Sequence, residues 1–314
     1  MMLKMTNTSQ QKLIVILGPN ASGKSKLAVE LAKKFNGEII SADSRQVYRG
    51  MDTGTGKIKK KEMRGIPHYL LDVASPKKRF TVAQYKKLAL AAIKKIQRKN
   101  KIPIICGGTG FYIQALADNI SIPEVKPDLK LRRGLEKKSA QELFTRLKKL
   151  DPNRAKNIDR YNKRRLVRAL EIIYKTGKLI PKLKSEPQFK TLFLGVKKSP
   201  VKLKKLIHTR LQKRLAQDMI KEVQNLRKFG LSWKKLDDFG LEYRWIARFL
   251  QKQVSRNQMI ARLQKDIEHY AKRQMTWFKK YPGEKTLWIS NKKQAQTLVN
   301  KFLSADTQTG KKLF

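Results

Sequence analysis

A single cysteine, three histidines, only 24 acidic residues and no long apolar run bound what this 314-residue chain can be. With one cysteine, Cys106, no internal disulfide can form, which fits a reducing compartment. Its setting, Ile102-Pro103-Ile104-Ile105-Cys106, reads as a buried strand, so the thiol is expected to be a small core group rather than a nucleophile. His68, His208 and His269 are scattered, and no cysteine–histidine cluster suggests zinc. No segment approaches the ~18 consecutive apolar residues of a membrane span. The opening MMLKMTNTSQQK lacks the apolar core of a secretory signal. A cytoplasmic protein without a membrane partner is the expectation.

The scarcity of acids leaves a large excess of base: 73 Lys and Arg against 24 Asp and Glu, a formal charge of +49. Such a field attracts polyanions, and nucleic acid is the obvious one. A generally basic host proteome would produce the same balance. The excess is spread nearly evenly along the chain, so composition alone leaves both readings open.

Against that background one motif stands out. Gly18-Pro19-Asn20-Ala21-Ser22-Gly23-Lys24-Ser25 fits the phosphate-binding pattern G-x-x-x-x-G-K-[ST]. The apolar run Lys12 to Leu17 precedes it and a helical pattern from Ser25 to Phe35 follows. A strand, a Gly-rich turn and a helix N-terminus aim backbone N–H groups at one point, where a phosphate can sit. Lys24 would reach the outer phosphate oxygens, and the Ser25 hydroxyl would be a ligand for Mg²⁺.

Strands alternate with helices through the first third: Gly37 to Ser41 and Tyr69 to Val73 as strands, Phe80 to Lys99 as a helix, and Ile102 to Cys106 as a strand. The last ends in Gly107-Gly108-Thr109-Gly110 and a further helix. The pattern predicts an α/β fold, a parallel sheet flanked by helices, with ligands at the carboxyl ends of the strands. The phosphate loop, Asp43 and the GGTG turn should therefore face one crevice. Residues 121–189 read as an all-helical insertion, helical from Leu131 to Tyr174 with one break near Asp151-Pro152. The core, 1–120 and 190–314, resumes with a strand at 191–196, helices over 200–280 and a last strand at Thr286 to Ser290. The tail Gly310 to Phe314 should be frayed.

The stretch Ile40 to Lys57, ISADSRQVYRGMDTGTGK, is dense in groups that donate, accept or bind anions. Asp43 and Asp52 are carboxylates, and Ser44, Gln46 and Thr53 could read a base edge. Asp and Ser also initiate turns, and each of these residues admits that reading.

These segments occur in order with Pro67-His68-Tyr69-Leu70-Leu71-Asp72, Gly107-Gly108-Thr109-Gly110-Phe111-Tyr112, Leu150-Asp151-Pro152, Arg164 to Glu171 and Ala271 to Phe278. Together, over residues 12 to 280, they resemble the tRNA isopentenyltransferase (dimethylallyltransferase) family. The resemblance implies transfer of a dimethylallyl group from dimethylallyl diphosphate to N6 of the adenosine 3′ of the anticodon, with release of pyrophosphate. The phosphate loop would then hold a leaving group, with Mg²⁺ as cofactor. By the same match, Asp43 would be the general base, and Asp43, Ser44, Arg45 and Gln46 would hold the target base. Thr109 would contact substrate and Arg210 would join the catalytic groups. Arg132, Arg164, Arg165 and Arg168 would meet the tRNA anticodon stem-loop; a solvated basic helix face is the alternative for them and the better account of most of the lysines. Arg210 and Arg214, four apart on a helix, could share one face toward the diphosphate. A monomer is the simplest state.

Four departures from the family pattern are visible. Asn20 replaces a threonine in the phosphate loop, Tyr69 a second histidine, and Glu242 a frequent glycine, while Leu215 to Val223 is about three residues short. Two rival readings use the same residues: a small-molecule kinase binding ATP at the loop, with Asp72 as half of an acid pair, and a non-catalytic RNA-binding protein.

Overall fold

Apolar, largely β-branched runs build the strands, and capping side chains start helices such as those that follow Thr81 and Ser199. The computed structural model describes residues 11–305 apart from 124, 182 and 183; the tail Gly310 to Phe314 lies outside them. The first elements are β1 (Gln11–Leu17), α1 (Lys24–Lys34), β2 (Gly37–Ala42), α2 (Lys60–Met63), β3 (His68–Tyr69), α3 (Val82–Gln97), β4 (Ile102–Gly107) and α4 (Gly110–Ala117). Four helices follow, α5 (Leu129–Glu136), α6 (Ala140–Leu150), α7 (Pro152–Lys156) and α8 (Lys163–Thr176). Then come β5 (Phe189–Val196), α9 (Pro200–Leu215), α10 (Met219–Lys228), α11 (Trp233–Phe239), α12 (Leu241–Leu250), α13 (Arg256–Lys280), β6 (Thr286–Ile289) and α14 (Lys292–Ser304).

The strands form one six-stranded sheet, ordered β3-β2-β4-β1-β5-β6, with every pair parallel. Period-two alternation divides β1 between two cores. Leu13, Val15 and Leu17 pack with α3, α4 and Phe278, while Ile14 and Ile16 pack with α1, α14 and Leu194. Burial on both faces explains why the strands read as continuous apolar runs. Cys106 is one of these core residues, and burial pushes its thiol up to about 11, which leaves it a poor nucleophile at neutral pH. The helices α9 to α13 bury their own core around Met219, Val223, Tyr243 and Met259.

The chain divides into two compact units, Met1–Asn119 with Glu186–Phe314, and Ile120–Ser185. The return to the sheet falls earlier than position 190 because Glu186 N–H already bonds to Asp118 O at 3.0 Å and Phe189 opens β5. The smaller unit packs Leu143, Leu147, Leu166 and Leu170 against one another. It is broken more often than the single interruption at Asp151 predicts. Ser139 and Asn162 accept from Glu142 N–H and Arg165 N–H and so start new helices, positions that a periodic reading takes for a polar helix surface.

One expected strand needs correction. Tyr69 to Val73 is not extended; only His68 and Tyr69 pair with β2. Leu70 and Asp72 take left-handed φ values of 64° and 58°, turning the chain back. Asp72 N–H and Ala74 N–H then bond to Gln46 O and Val47 O, bracing the segment that follows β2. The final helix α14, which sequence periodicity did not bring out, covers the β6 side of the sheet.

Candidate active site at the carboxyl edge of the sheet

Adjacent strands β2, β4 and β1 end in Asp43, the GGTG turn and the phosphate loop, so the sheet order itself gathers the three. Gly23 caps α1 at φ 91°, a left-handed conformation that points the first helical N–H groups into the loop. The Lys24 ammonium folds back to donate to Pro19 O at 3.2 Å. Burial pulls its pKa below the usual lysine range, with Arg210 adding to the shift and Cys106 and Asp43 opposing it. An anion in the loop would reverse that penalty.

The carbonyl of Gly108 and the N–H of Asn20 are bridged by one buried side chain. Gln274 donates to Gly108 O at 2.9 Å and accepts from Asn20 N–H at 2.9 Å, fixing the phosphate loop to the GGTG turn. Gln274 lies inside the Ala271 to Phe278 motif, but no local pattern marks this role because its partners lie 166 and 254 residues away. The bond is made to the backbone of Asn20, so the change from threonine at that position leaves it intact.

Asp43 makes the turn and also faces the site. Its Oδ1 accepts from Arg45 N–H at 2.8 Å and Gln46 N–H at 3.3 Å, while Oδ2 has no hydrogen-bond partner among the described residues. The carboxylate is half-buried and within electrostatic reach of Lys24 and Arg210. Thr109 stands at the N-cap of α4 but does not cap it; its hydroxyl accepts from Ser44 N–H at 3.0 Å, which leaves the hydroxyl proton for another acceptor. Gln46 accepts from the Ser41 hydroxyl. The guanidinium of Arg45 donates through Nε to Phe239 O at 3.0 Å and through Nη1 to Ser44 O at 3.4 Å, and it lies over the Phe239 ring.

Beside this cluster opens a cleft of about 1200 Å³ whose wall includes Gly23, Lys24, Ser25, Gly56, Arg210 and Arg214. Asp43, Gln46 and Thr109 do not line that cleft, but Asp43 lies within electrostatic reach of Lys24 and Arg210 in its wall. Arg210 and Arg214 do share one face of α9. Arg210 donates to Gly56 O at 3.2 Å, and Arg214 to Gly54 O and Glu242 Oε1, both at 3.1 Å. Burial, with the charge of Arg214 behind it, brings Arg210 down to about 10. Glu242, at the position where glycine is frequent, is buried, and burial raises its pKa against the pull of Arg214. Between Leu215 and Val223 the chain ends α9 at Leu215 and starts α10 after Asp218, whose φ is 58°.

Several candidate residues turn out to have structural partners. Lys57 pairs with both Asp52 and Asp72, which neutralises the acid that a kinase reading needs. Tyr69, in the place of a histidine, donates to buried Glu38 at 2.6 Å, and it is His68 that lines the cleft.

Within the smaller unit, Glu171 organises the arginines. Its carboxylate accepts from Arg132 Nε and Nη2, both at 2.7 Å, from Arg168 Nη1 at 2.6 Å and from Asp128 N–H at 2.7 Å. Burial opposes ionisation, yet the arginine bonds prevail and hold Glu171 at about 2. Arg132 is thus 13% exposed and committed to an internal pair, whereas Arg164 and Arg165 are exposed on α8.

Comparison with known proteins agrees with this geometry. The profile of the family described as IPP transferase matches residues 46–281. The tRNA dimethylallyltransferase of Pelotomaculum thermopropionicum is 40% identical over 293 residues, covering 91% of this chain and 93% of its own. A crystal structure of the tRNA isopentenylpyrophosphate transferase from Bacillus halodurans superimposes with a TM-score of 0.71 at 32% identity, covering 95% of this chain and 97% of that one. A eukaryotic dimethylallyltransferase acting on tRNA gives a TM-score of 0.82 at 29% identity, over 94% of this chain and 80% of that one. With a family profile matched over residues 46–281 and relatives alike over nearly their full length, the chain belongs to the IPP transferase family.

Proposed function

We propose that the protein is a prenyltransferase that moves a dimethylallyl group from dimethylallyl diphosphate to N6 of the adenosine 3′ of the anticodon in tRNA, releasing pyrophosphate. The observation that carries the reading is the adjacency of two chemically different half-sites. A cationic cleft suited to a diphosphate lies next to a carboxylate with one uncommitted oxygen.

An exocyclic amine conjugated to a purine is a weak nucleophile, so the allylic C–O bond must be largely broken as the new C–N bond forms. Negative charge then grows on pyrophosphate. The N–H groups of the phosphate loop, with Lys24, Arg210 and Arg214 from the cleft wall, would stabilise it. The amine becomes positive as it bonds to carbon, and Asp43 Oδ2 takes the N6 proton. The Thr109 hydroxyl, anchored by Ser44 N–H, and the Gln46 amide orient the base. Since the target adenosine is stacked within its loop, binding requires that it be extruded. Arg164 and Arg165 supply exposed charge for tRNA phosphates.

The residues present fit Mg²⁺ in a substrate-borne form. Ser25 is exposed on the first turn of α1 and lines the cleft, and no group of three His, Cys, Asp or Glu converges among the described residues. A hard cation would therefore take the Ser25 hydroxyl, diphosphate oxygens and water. When bound, it would supply further neutralisation of the leaving group. Among the described residues no helix is long and apolar enough to cross a membrane.

The test offers the protein labelled dimethylallyl diphosphate, Mg²⁺ and unmodified tRNA whose anticodon is followed by adenosine. Digestion of the RNA should return label in N6-dimethylallyl adenosine alone. Consumption of ATP on adding small acceptors, with no label in RNA, would overturn the reading in favour of a kinase.

A further inference from the structure

The segment 52–56 forms part of the cleft wall and is gripped from both sides. On one side its carbonyls hold the arginines: Gly56 O accepts from Arg210 and Gly54 O from Arg214. The Gln46 amide approaches Thr55 O and Gly56 O at 3.5 Å, so the side that faces the acceptor touches the same segment. On the other side, three successive N–H groups converge on one carboxylate. Glu222 Oε2 accepts from Asp52 N–H at 2.9 Å and Thr53 N–H at 2.6 Å, and Oε1 from Gly54 N–H at 3.1 Å. The Tyr243 hydroxyl, on α12, completes the set by donating to Oε1 at 2.8 Å.

Successive backbone N–H groups aimed at one point make an anion-binding concavity. Here a side chain of the protein, from α10 and about 170 residues away in the chain, fills it. A neutral side chain could not satisfy four donors. The fit leaves no slack: a Cβ on Gly54 would lie 2.8 Å from the Tyr243 hydroxyl and 3.2 Å from Glu222 Oε1. A Cβ on Gly56, whose φ is +60°, would overlap the guanidinium groups of Arg210 and Arg214.

We propose that Glu222 is a positioning residue for the donor diphosphate: by fixing segment 52–56 through its N–H groups, it sets the carbonyls that aim Arg210 and Arg214 into the cleft. It does not touch substrate and acts through the arginine pair. The inference rests on the prenyl-transfer reading for its consequence in turnover, but its direct consequence is the affinity of the cleft for pyrophosphate.

Full-length Glu222→Ala and Glu222→Gln are compared with wild type for binding of inorganic pyrophosphate, tRNA affinity, and KM and kcat for dimethylallyl transfer. Loss of this alignment should weaken pyrophosphate binding and raise KM for the donor by about tenfold or more, with tRNA affinity held within about twofold. Formate, small enough for the space vacated in Glu222→Ala, should restore part of the pyrophosphate affinity and should do nothing to wild type. Glu222→Gln keeps the volume and carries the test if Glu222→Ala does not fold. Unchanged pyrophosphate affinity in a folded variant overturns the proposal. So does a parallel loss of tRNA affinity and of stability that formate does not reverse, which would make Glu222 a structural residue only. Wild-type protein that binds pyrophosphate but does not modify tRNA would overturn the prenyl-transfer reading and leave the Glu222 comparison intact.

Discussion

Replacing Glu171 by glutamine removes a carboxylate that is 0% exposed and holds two arginines and one backbone N–H. The folded chain holds this carboxyl at about 2 against 4.5 for an unperturbed glutamate. A difference of that size corresponds to about 3 kcal/mol at neutral pH. Breaking a buried pair by removing one partner costs a comparable amount, about 3–5 kcal/mol, because the arginines are left uncompensated. The sign follows from the direction of the shift. The folded value is depressed, so the stabilisation is fully present above about 4.5 and is lost as pH falls toward 2. Hydrogen exchange of the amides in α5 and α8 reads the effect locally. Wild type and Glu171→Gln should differ in opening free energy by about 3 kcal/mol at pH 7, and the gap should narrow progressively below pH 4.5. A gap under about 1 kcal/mol, or one that does not change with pH, would refute the reasoning.

Three further outcomes concern the reaction. Asp43→Asn keeps one oxygen for Arg45 and Gln46 N–H but loses the base, so turnover should drop by roughly 10²-fold or more while tRNA binding holds; unchanged kcat would remove Asp43 from that role. Lys24→Ala should raise KM for dimethylallyl diphosphate and leave tRNA affinity unaltered; loss of tRNA affinity with normal donor use would contradict its placement in the cleft. Arg165→Ala should flatten the salt dependence of tRNA binding by about one unit. Arg132→Ala should act chiefly through stability, since its guanidinium is committed to Glu171, and an equal change of slope for Arg132 would show that this pair opens when tRNA binds.

Local chemistry was legible in the sequence wherever neighbours in the chain are also the parts of the device. The phosphate loop needs a strand, glycines, a lysine and a helix start in succession, and all lie between Gln11 and Lys34. Parallel strands buried on both faces announce themselves as apolar runs, so β1, β2, β4 and β5 were found close to their true limits. Pairing alone decides a two-residue edge strand, so the apolar run Tyr69 to Val73 reads as a strand although only His68 and Tyr69 pair with β2. The breaks at Ser139 and Asn162 depend on caps that look like surface residues until the helices form.

The residues that set the site's geometry were beyond the sequence because their partners are distant in the chain. Gln274 joins Gly108 to Asn20, Glu222 holds residues 52–54, and Glu171 takes Arg132 from an RNA-contact candidate into an internal pair. Backbone N–H and C=O groups carry no residue identity, so nothing in the letters marks which of them needs a side-chain partner. The sequence by itself determined the strand–turn–helix of the phosphate-loop motif, the parallel sheet and the family pattern, because each is written in contiguous residues. Tertiary structure alone decided which carboxylates are available for chemistry and which are committed to structure. Asp43 keeps an uncommitted oxygen, while Asp52, Asp72, Glu171 and Glu222 are already engaged, because hydrogen-bond partnership is fixed by what folding brings within 3 Å or so rather than by residue type.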